Sequence, residues 1–170
     1  MESVFKEQLV KKEKTPKDSA MKVGVIILAI IVIIFVNILI PSFGVFIALA
    51  VGYGTYWFLQ RFDIEYEYVF TNGELDIDAI FSKSKRKRML AIDVKTFDLM
   101  AQIEDPMYLH EWKRAQKTLD YSSGKIKPNT YGVLFTQQGE LVHLIFEPND
   151  SILDGMARYI PRQLHRKQKK

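Results

Sequence analysis

The stretch that decides the fold is "DIEYEYVFTNGELDIDAIF", Asp63 to Phe81. Asn-Gly at its centre is the preferred pair for a two-residue type I′ turn, so Asn72 and Gly73 predict a β-hairpin. The cross-strand partners are then Phe70 with Leu75, Tyr68 with Ile77, Tyr66 with Ala79, and Ile64 with Phe81. Every pair on that face is apolar, and a one-residue slip would destroy the match. The opposite face sets Glu67 against Asp78, a like-charge contact that is unfavourable unless cations lie nearby. The next residues are "SKSKRKR", Ser82 to Arg88, with five cations in one short run. An antiparallel return through "MLAI" would place Lys85, Arg86, Lys87 and Arg88 beside the acidic hairpin, in a register that the sequence leaves open.

Downstream, "TYGVLFTQQGELVHLIF", Thr130 to Phe146, predicts a second hairpin about Gln138 and Gly139. It pairs Phe135 with Val142, Val133 with Leu144 and Tyr131 with Phe146. His143 faces the other way, opposite Leu134, as a surface or lightly packed histidine. His110 and His165 have no metal-ligand spacing around them. Between the hairpins, "DVKTFDLMAQI" reads as a strand, Asp105 and Pro106 open a short helix, and "KTLD" begins another strand. Asn149, Asp150 or Ser151 then caps a C-terminal helix with an apolar stripe of Ile152, Leu153, Met156 and Ile160, which Pro161 ends or kinks.

Upstream the composition changes. "VGVIILAIIVIIFVNILI" (23–40) and "SFGVFIALAVGYGTYWFL" (42–59) carry no charge, and each approaches the ~20 residues that cross a bilayer. Only Pro41 separates them, which predicts a tight antiparallel hairpin of membrane helices. A cleaved signal peptide fits poorly, because its apolar core is ~7 to 15 residues and no second span follows it. Six lysines precede the first span, Arg61 follows the second, and the connecting turn has no cation. The positive-inside bias therefore puts both termini in the cytoplasm, with Tyr53, Tyr56 and Trp57 at headgroup level. Gly44, Ala48 and Gly52 form a small-residue stripe expected to pack the hairpin, and Asn37 is a local hydrogen-bonding group. Before the spans, "ESVFKEQLVKKEK" reads either as a short helix on the inner leaflet or as disorder. The expected organisation is a basic segment 1–22, a helical hairpin 23–60 (helices about 23–40 and 42–60), a soluble domain 61–166 and a basic tail 167–170.

Charge is segregated. Asp63 to Ser82 has six acids and no base, Lys83 to Arg88 five bases, and Arg158 to Lys170 six bases. Without cysteine, disulfides and thiolate metal sites are excluded. There is no phosphate-binding glycine loop or nucleophile elbow. Glu65, Glu67, Asp76 and Asp78 read as the solvent face of a half-buried sheet and not as a catalytic carboxylate set. Three readings compete for the basic run: contact with anionic headgroups, worth ~1 kcal/mol per cation near the leaflet; pairing with the acidic hairpin; or a protein or nucleic-acid partner. Nucleic acid is disfavoured, since no recognition motif accompanies the charge.

"YEYVFTNGELDI" (66–77), "KRKRMLAIDVKTFDLM" (85–100) and "GELVHLIFEPNDSILDGMARYI" (139–160) together resemble the bacterial pleckstrin-homology-like domain of membrane-anchored proteins. The layout also resembles an uncharacterised membrane family of Firmicutes type. The resemblance implies two roughly orthogonal sheets capped by a C-terminal helix, a binding or scaffolding role, and no catalytic residues. The expectation is thus a membrane-anchored α+β protein: a transmembrane helical hairpin, then a PH-like antiparallel β-barrel or sandwich with a C-terminal amphipathic helix. Its expected function is a non-catalytic module that needs no cofactor or metal and binds anionic headgroups or a membrane-protein partner. The residues expected to make that contact are Lys83, Lys85, Arg86, Lys87, Arg88, Arg158, Arg162, Arg166 and Lys167. The alternative is an accessory or scaffold subunit of a larger membrane complex. No small-molecule substrate is implied, and the oligomeric state is not legible.

Overall fold

Asn72 and Gly73 adopt φ of 51° and 100°, and Gln138 and Gly139 adopt 53° and 85°. Both φ angles are positive in each turn, as type I′ geometry requires. The structure, a computed structural model, describes residues 4–13, 15–60 and 62–166; Lys14, Arg61, Lys167 and the rest of the tail lie outside them. The chain divides into two compact units, one holding the helices and residues 81–85, the other the sheets.

In the helical unit, α1 (Pro16–Leu39) and α2 (Gly44–Gln60) are joined by a 3-10 turn (Pro41–Phe43). Thr15 caps α1 in a reciprocal box with Asp18: the Thr15 hydroxyl accepts from the Asp18 N–H at 3.1 Å, and Asp18 Oδ2 accepts from the Thr15 N–H at 3.0 Å. The helix therefore begins ahead of the apolar run and spans about 36 Å at 1.5 Å per residue. None of its residues is buried. A helix of this length with isoleucines and leucines exposed all round would be unstable in water. α1, and α2 taken with the 3-10 turn before it (Pro41–Gln60), are long and apolar enough to cross a bilayer.

In the sheet unit, β1 (Phe5–Lys11), β2 (Ile64–Thr71), β3 (Glu74–Phe81) and β4 (Lys85–Asp93) form one sheet in that order. The N-terminal segment is thus an edge strand, neither an interfacial helix nor disordered. It pairs antiparallel with β2 from Phe5↔Thr71 to Lys11↔Glu65. Residues 4–13, read from the sequence as part of a separate segment, fold with the sheets.

A 3-10 turn (Val94–Thr96) leads to the second sheet, built from β5 (Phe97–Gln102), β6 (Lys117–Asp120), β7 (Tyr131–Gln137), β8 (Glu140–Phe146) and β9 (Leu164–His165). Its order is β6-β8-β7-β5-β9. The β7–β8 register contains Phe135↔Val142, Val133↔Leu144 and Tyr131↔Phe146, the expected pairs. β6 joins β8 parallel, and β9 joins β5 parallel, so this sheet is mixed. The barrel expectation is corrected: there are two open sheets, because the chain turns from β4 into β5 through the 3-10 turn and no ladder links the sheet edges among the described residues.

The core lies between the sheets. Tyr68, Phe70, Leu75 and Ile77 meet Phe97, Met100, Phe135, Leu144 and Phe146, all with under 2% of their surface exposed or none. Tyr68 stands edge-on to Phe146 at 5.6 Å, and Phe70 edge-on to Tyr159 at 5.8 Å. Helix α4 (Asp150–Ala157) is capped by Asn149, whose Oδ1 accepts from the Ile152 N–H at 2.9 Å, and it buries Ile152, Leu153 and Met156.

The outer face of the second sheet is covered as well. The segment carrying α3 (Leu109–Trp112) lays Trp112 over His143, rings parallel at 4.8 Å. His143 is opposite Leu134 but only 6% exposed, so the reading of a surface histidine is corrected. Its cover comes from a segment distant in sequence. Gly132 leaves room for the stack, since a Cβ there would sit 2.8 Å from His143 Nε2. Burial lowers the His143 pKa.

Candidate membrane-facing site

The basic run divides at Lys85. Arg86 turns onto the acidic face of its own sheet: its Nη2 donates to Glu67 Oε1 at 2.7 Å and lies 2.6 Å from Oε2, while Nη1 is 3.8 Å from Asp78. Glu67 Oε2 and Asp78 Oδ1 are buried and held by charge without a hydrogen bond of good angle. Arg88 adds contacts at 3.7 Å to Asp78 and 3.8 Å to Asp76, and Lys11 reaches Glu65 at 3.8 Å. The like-charge pair of Glu67 and Asp78 is therefore tolerated because two guanidinium groups answer it. Burial pushes the Glu67 carboxyl up, Arg86 opposes that rise, and Glu7 and Asp78 reinforce it. These acids are a structural ion network, the second of the three readings, for Arg86 and Arg88.

Lys83 and Lys85 lie elsewhere, in the helical unit. Ser82 and Lys83 both adopt left-handed φ, 48° and 56°, which is costly for residues with a Cβ. The turn is tied to the end of α2: the Ser82 N–H donates to the Asp63 carbonyl at 2.8 Å, and Ser82 Oγ donates to the Gln60 carbonyl at 2.5 Å. That C-terminal carbonyl of the helix also accepts from the Asp63 N–H at 3.2 Å. A cleft of about 290 Å³ results, lined by Trp57, Gln60, Phe81, Ser82, Ser84 and Lys85. Nearby, Lys22 Nζ stands 5.3 Å from the centre of the Phe62 ring, which meets Phe58 edge-on. Lys87 is exposed on β4.

The remaining predicted contacts are dispersed. Arg166 donates to Asp154 at 2.7 Å, and Arg162 is exposed. Arg158 lines a cleft of about 380 Å³ with Lys6, Ser151 and Asp154. Lys167 lies outside the described residues. Of the small-residue stripe, Gly44 is buried, and a Cβ there would fall 2.1 Å from Asn37 Oδ1. Asn37 in turn donates to the Ile33 carbonyl at 2.9 Å. Ala48 is half-buried, whereas Gly52 is exposed with nothing within 4 Å of its Cβ position. Of the two glycines in the stripe, Gly44 at the turn end of the hairpin is the one that meets the facing helix closely.

Sequence reasoning missed a polar junction beside the C-terminal half of β1. Buried Glu147 accepts from the Ser123 N–H at 3.0 Å and from its hydroxyl at 2.6 Å, with Lys127 Nζ at 3.6 Å. Lys127 and Lys125 also bind Glu13, lowering its pKa. The Gln8 amide spans the same junction, donating to the Glu147 carbonyl and accepting from the Asn149 N–H. Its members are scattered from Gln8 to Asn149, so no local motif announces them.

A family model described as Bacterial PH-like domain (DUF6106) matches residues 2–166. The match includes β1 and the helical hairpin as well as the sheets. No curated protein and no solved structure gives a match.

Proposed function

We propose, from the premise that the chain belongs to the bacterial PH-like domain family, that it is a non-catalytic module held against the inner leaflet by its own helical hairpin. The observation that carries this reading is the pairing of β1 with β2. These strands flank the hairpin in sequence, so the residues before α1 and after α2 share one compartment. The lysine excess of those flanks favours the cytoplasm for it. In this arrangement residues 23–60 are the membrane part, and 61–166 together with β1 form the cytoplasmic domain.

Lys83, Lys85, Lys87, Arg158 and Arg162 are the cations offered to anionic headgroups, each attracted by ~1 kcal/mol near the surface. Arg86 and Arg88 serve the sheet. A second reading, an accessory subunit of a larger membrane complex, is favoured by the open flank of α2 at Gly52, where a partner helix has room for close approach.

The chain has no cysteine, so single cysteines report sidedness cleanly. With a membrane-impermeant maleimide, Ser42→Cys is expected to label in intact cells, and Lys6→Cys and Lys113→Cys only in inverted vesicles. Labelling of Lys113→Cys in intact cells would overturn the reading.

A further inference from the structure

We infer that the cleft at the end of α2 seats the phosphate of one anionic phospholipid, with Lys85 as its cation and Ser84 as its hydroxyl donor. This rests on the cytoplasmic-leaflet reading above and gives it a stereochemically defined contact. Four features of the cleft support it. First, its position follows from helix length: Pro41–Gln60 covers about 30 Å, a hydrocarbon thickness, so the last turn of α2 emerges at headgroup level. Second, the lining is amphipathic in the way a headgroup requires. Trp57 and Phe81 offer rings to the glycerol region, and Lys85 and Ser84 offer a charge and a hydroxyl, the Ser82 hydroxyl being spent on the Gln60 carbonyl. Third, among the described residues Ser84 Oγ makes only a long 3.5 Å contact to the Phe81 carbonyl, which leaves its proton available for redirection. Fourth, the turn keeps two consecutive left-handed non-glycine residues, a strain that the links to Gln60 and Asp63 hold in place. At about 290 Å³ the cleft is at the small end of ligand sites, room for a phosphate and its glycerol but not for a whole lipid.

Arg86 and Arg88 provide the contrast. Their guanidinium groups are committed to Glu67, Asp76 and Asp78, while Lys83, Ser84 and Lys85 belong to the turn tied to the helix.

The test uses the full chain in nanodiscs of phosphatidylcholine with a minority of phosphatidylglycerol, brominated in one lipid or the other. Of the two tryptophans, Trp112 is buried and shielded, so contact quenching reports Trp57. Brominated phosphatidylglycerol is expected to quench as though enriched roughly fivefold over its bulk fraction. Lys85→Gln with Ser84→Ala should return quenching to the bulk fraction, whereas Lys85→Arg and Lys113→Gln, the latter an exposed lysine given no headgroup contact, should keep the enrichment. Retention by Lys85→Arg guards against misfolding as the cause. Equal loss in Lys113→Gln would overturn the seat and leave only diffuse surface attraction, consistent with the proposed function. Competition by millimolar free glycerol phosphate would also overturn it, in favour of a soluble-phosphate site. Quenching by neither brominated lipid would sink the membrane placement itself.

Discussion

Two neighbouring strand pairs of the first sheet are joined in opposite ways. β2 and β3 are connected by Asn72 and Gly73, whose left-handed backbone sets the register within the turn itself. β1 and β2 are connected through residues 12–63, which contain the whole helical hairpin. Loop-closure entropy grows only logarithmically with length, and an antiparallel hairpin returns its own ends to one place. The two apolar helices thus take the part of a turn, and side-chain contacts must fix the register that turn chemistry fixes elsewhere. Those contacts are visible: Val10 is buried, Gln8 bridges Glu147 and Asn149, and Lys11 meets Glu65.

The largest test of this contrast is to remove β1. Deleting residues 2–12 while keeping the hairpin strips a buried valine and two side-chain hydrogen bonds and bares the β2 edge. We expect a loss on the order of 4–5 kcal/mol, read by denaturant unfolding of detergent-solubilised protein. An unchanged midpoint would mean that β1 is an ornament. Next is Arg86→Met, which leaves the 4%-exposed Glu67 without its partner and should cost about 3 kcal/mol. The pH dependence has a definite sign. A carboxyl whose folded pKa is raised binds more protons folded than unfolded, so stability falls as pH rises through that window. The Arg86→Met deficit should therefore shrink on acidification toward the ordinary carboxylate range, and adding Glu67→Gln should rescue it at neutral pH. Absence of rescue would show that Arg86 acts through something other than that charge.

A smaller effect belongs to the short connection. Gly73→Ala forces a side chain onto φ of +100° and within 3.0 Å of the Tyr159 ring, for an expected cost of about 1–2 kcal/mol. The smallest concerns the hairpin: Gly52→Ala should change thermal stability by no more than about 0.5 kcal/mol. Gly44→Ala, which displaces Asn37, should cost visibly more. Equal effects would mean that α2 packs along its full stripe.

This contrast also explains what the sequence could reveal. The β2–β3 and β7–β8 turns were readable because Asn-Gly and Gln-Gly carry their geometry locally. The apolar hairpin was readable because solvent preference needs no partner. β1 was not, since the partners of Phe5–Lys11 lie beyond the two apolar helices, and its outward Phe5 and Leu9 blur the alternation. His143 was misread because the residue that covers it, Trp112, arrives from a separate segment. The basic run was legible as charge but not as two populations, because its division depends on how β4 meets the acidic face.

The most direct measurement of one sheet built across the helical hairpin is a cysteine pair at Glu7 and Val69, opposed in the β1–β2 register. Opposed Cα atoms of an antiparallel pair are about 4.5–5.5 Å apart, within disulfide reach. In inverted vesicles under mild oxidation, Glu7→Cys with Val69→Cys is expected to form the disulfide, while Glu7→Cys with Asp98→Cys, on the other sheet, is not. Failure of the first pair to crosslink, or equal crosslinking of both, would contradict the account.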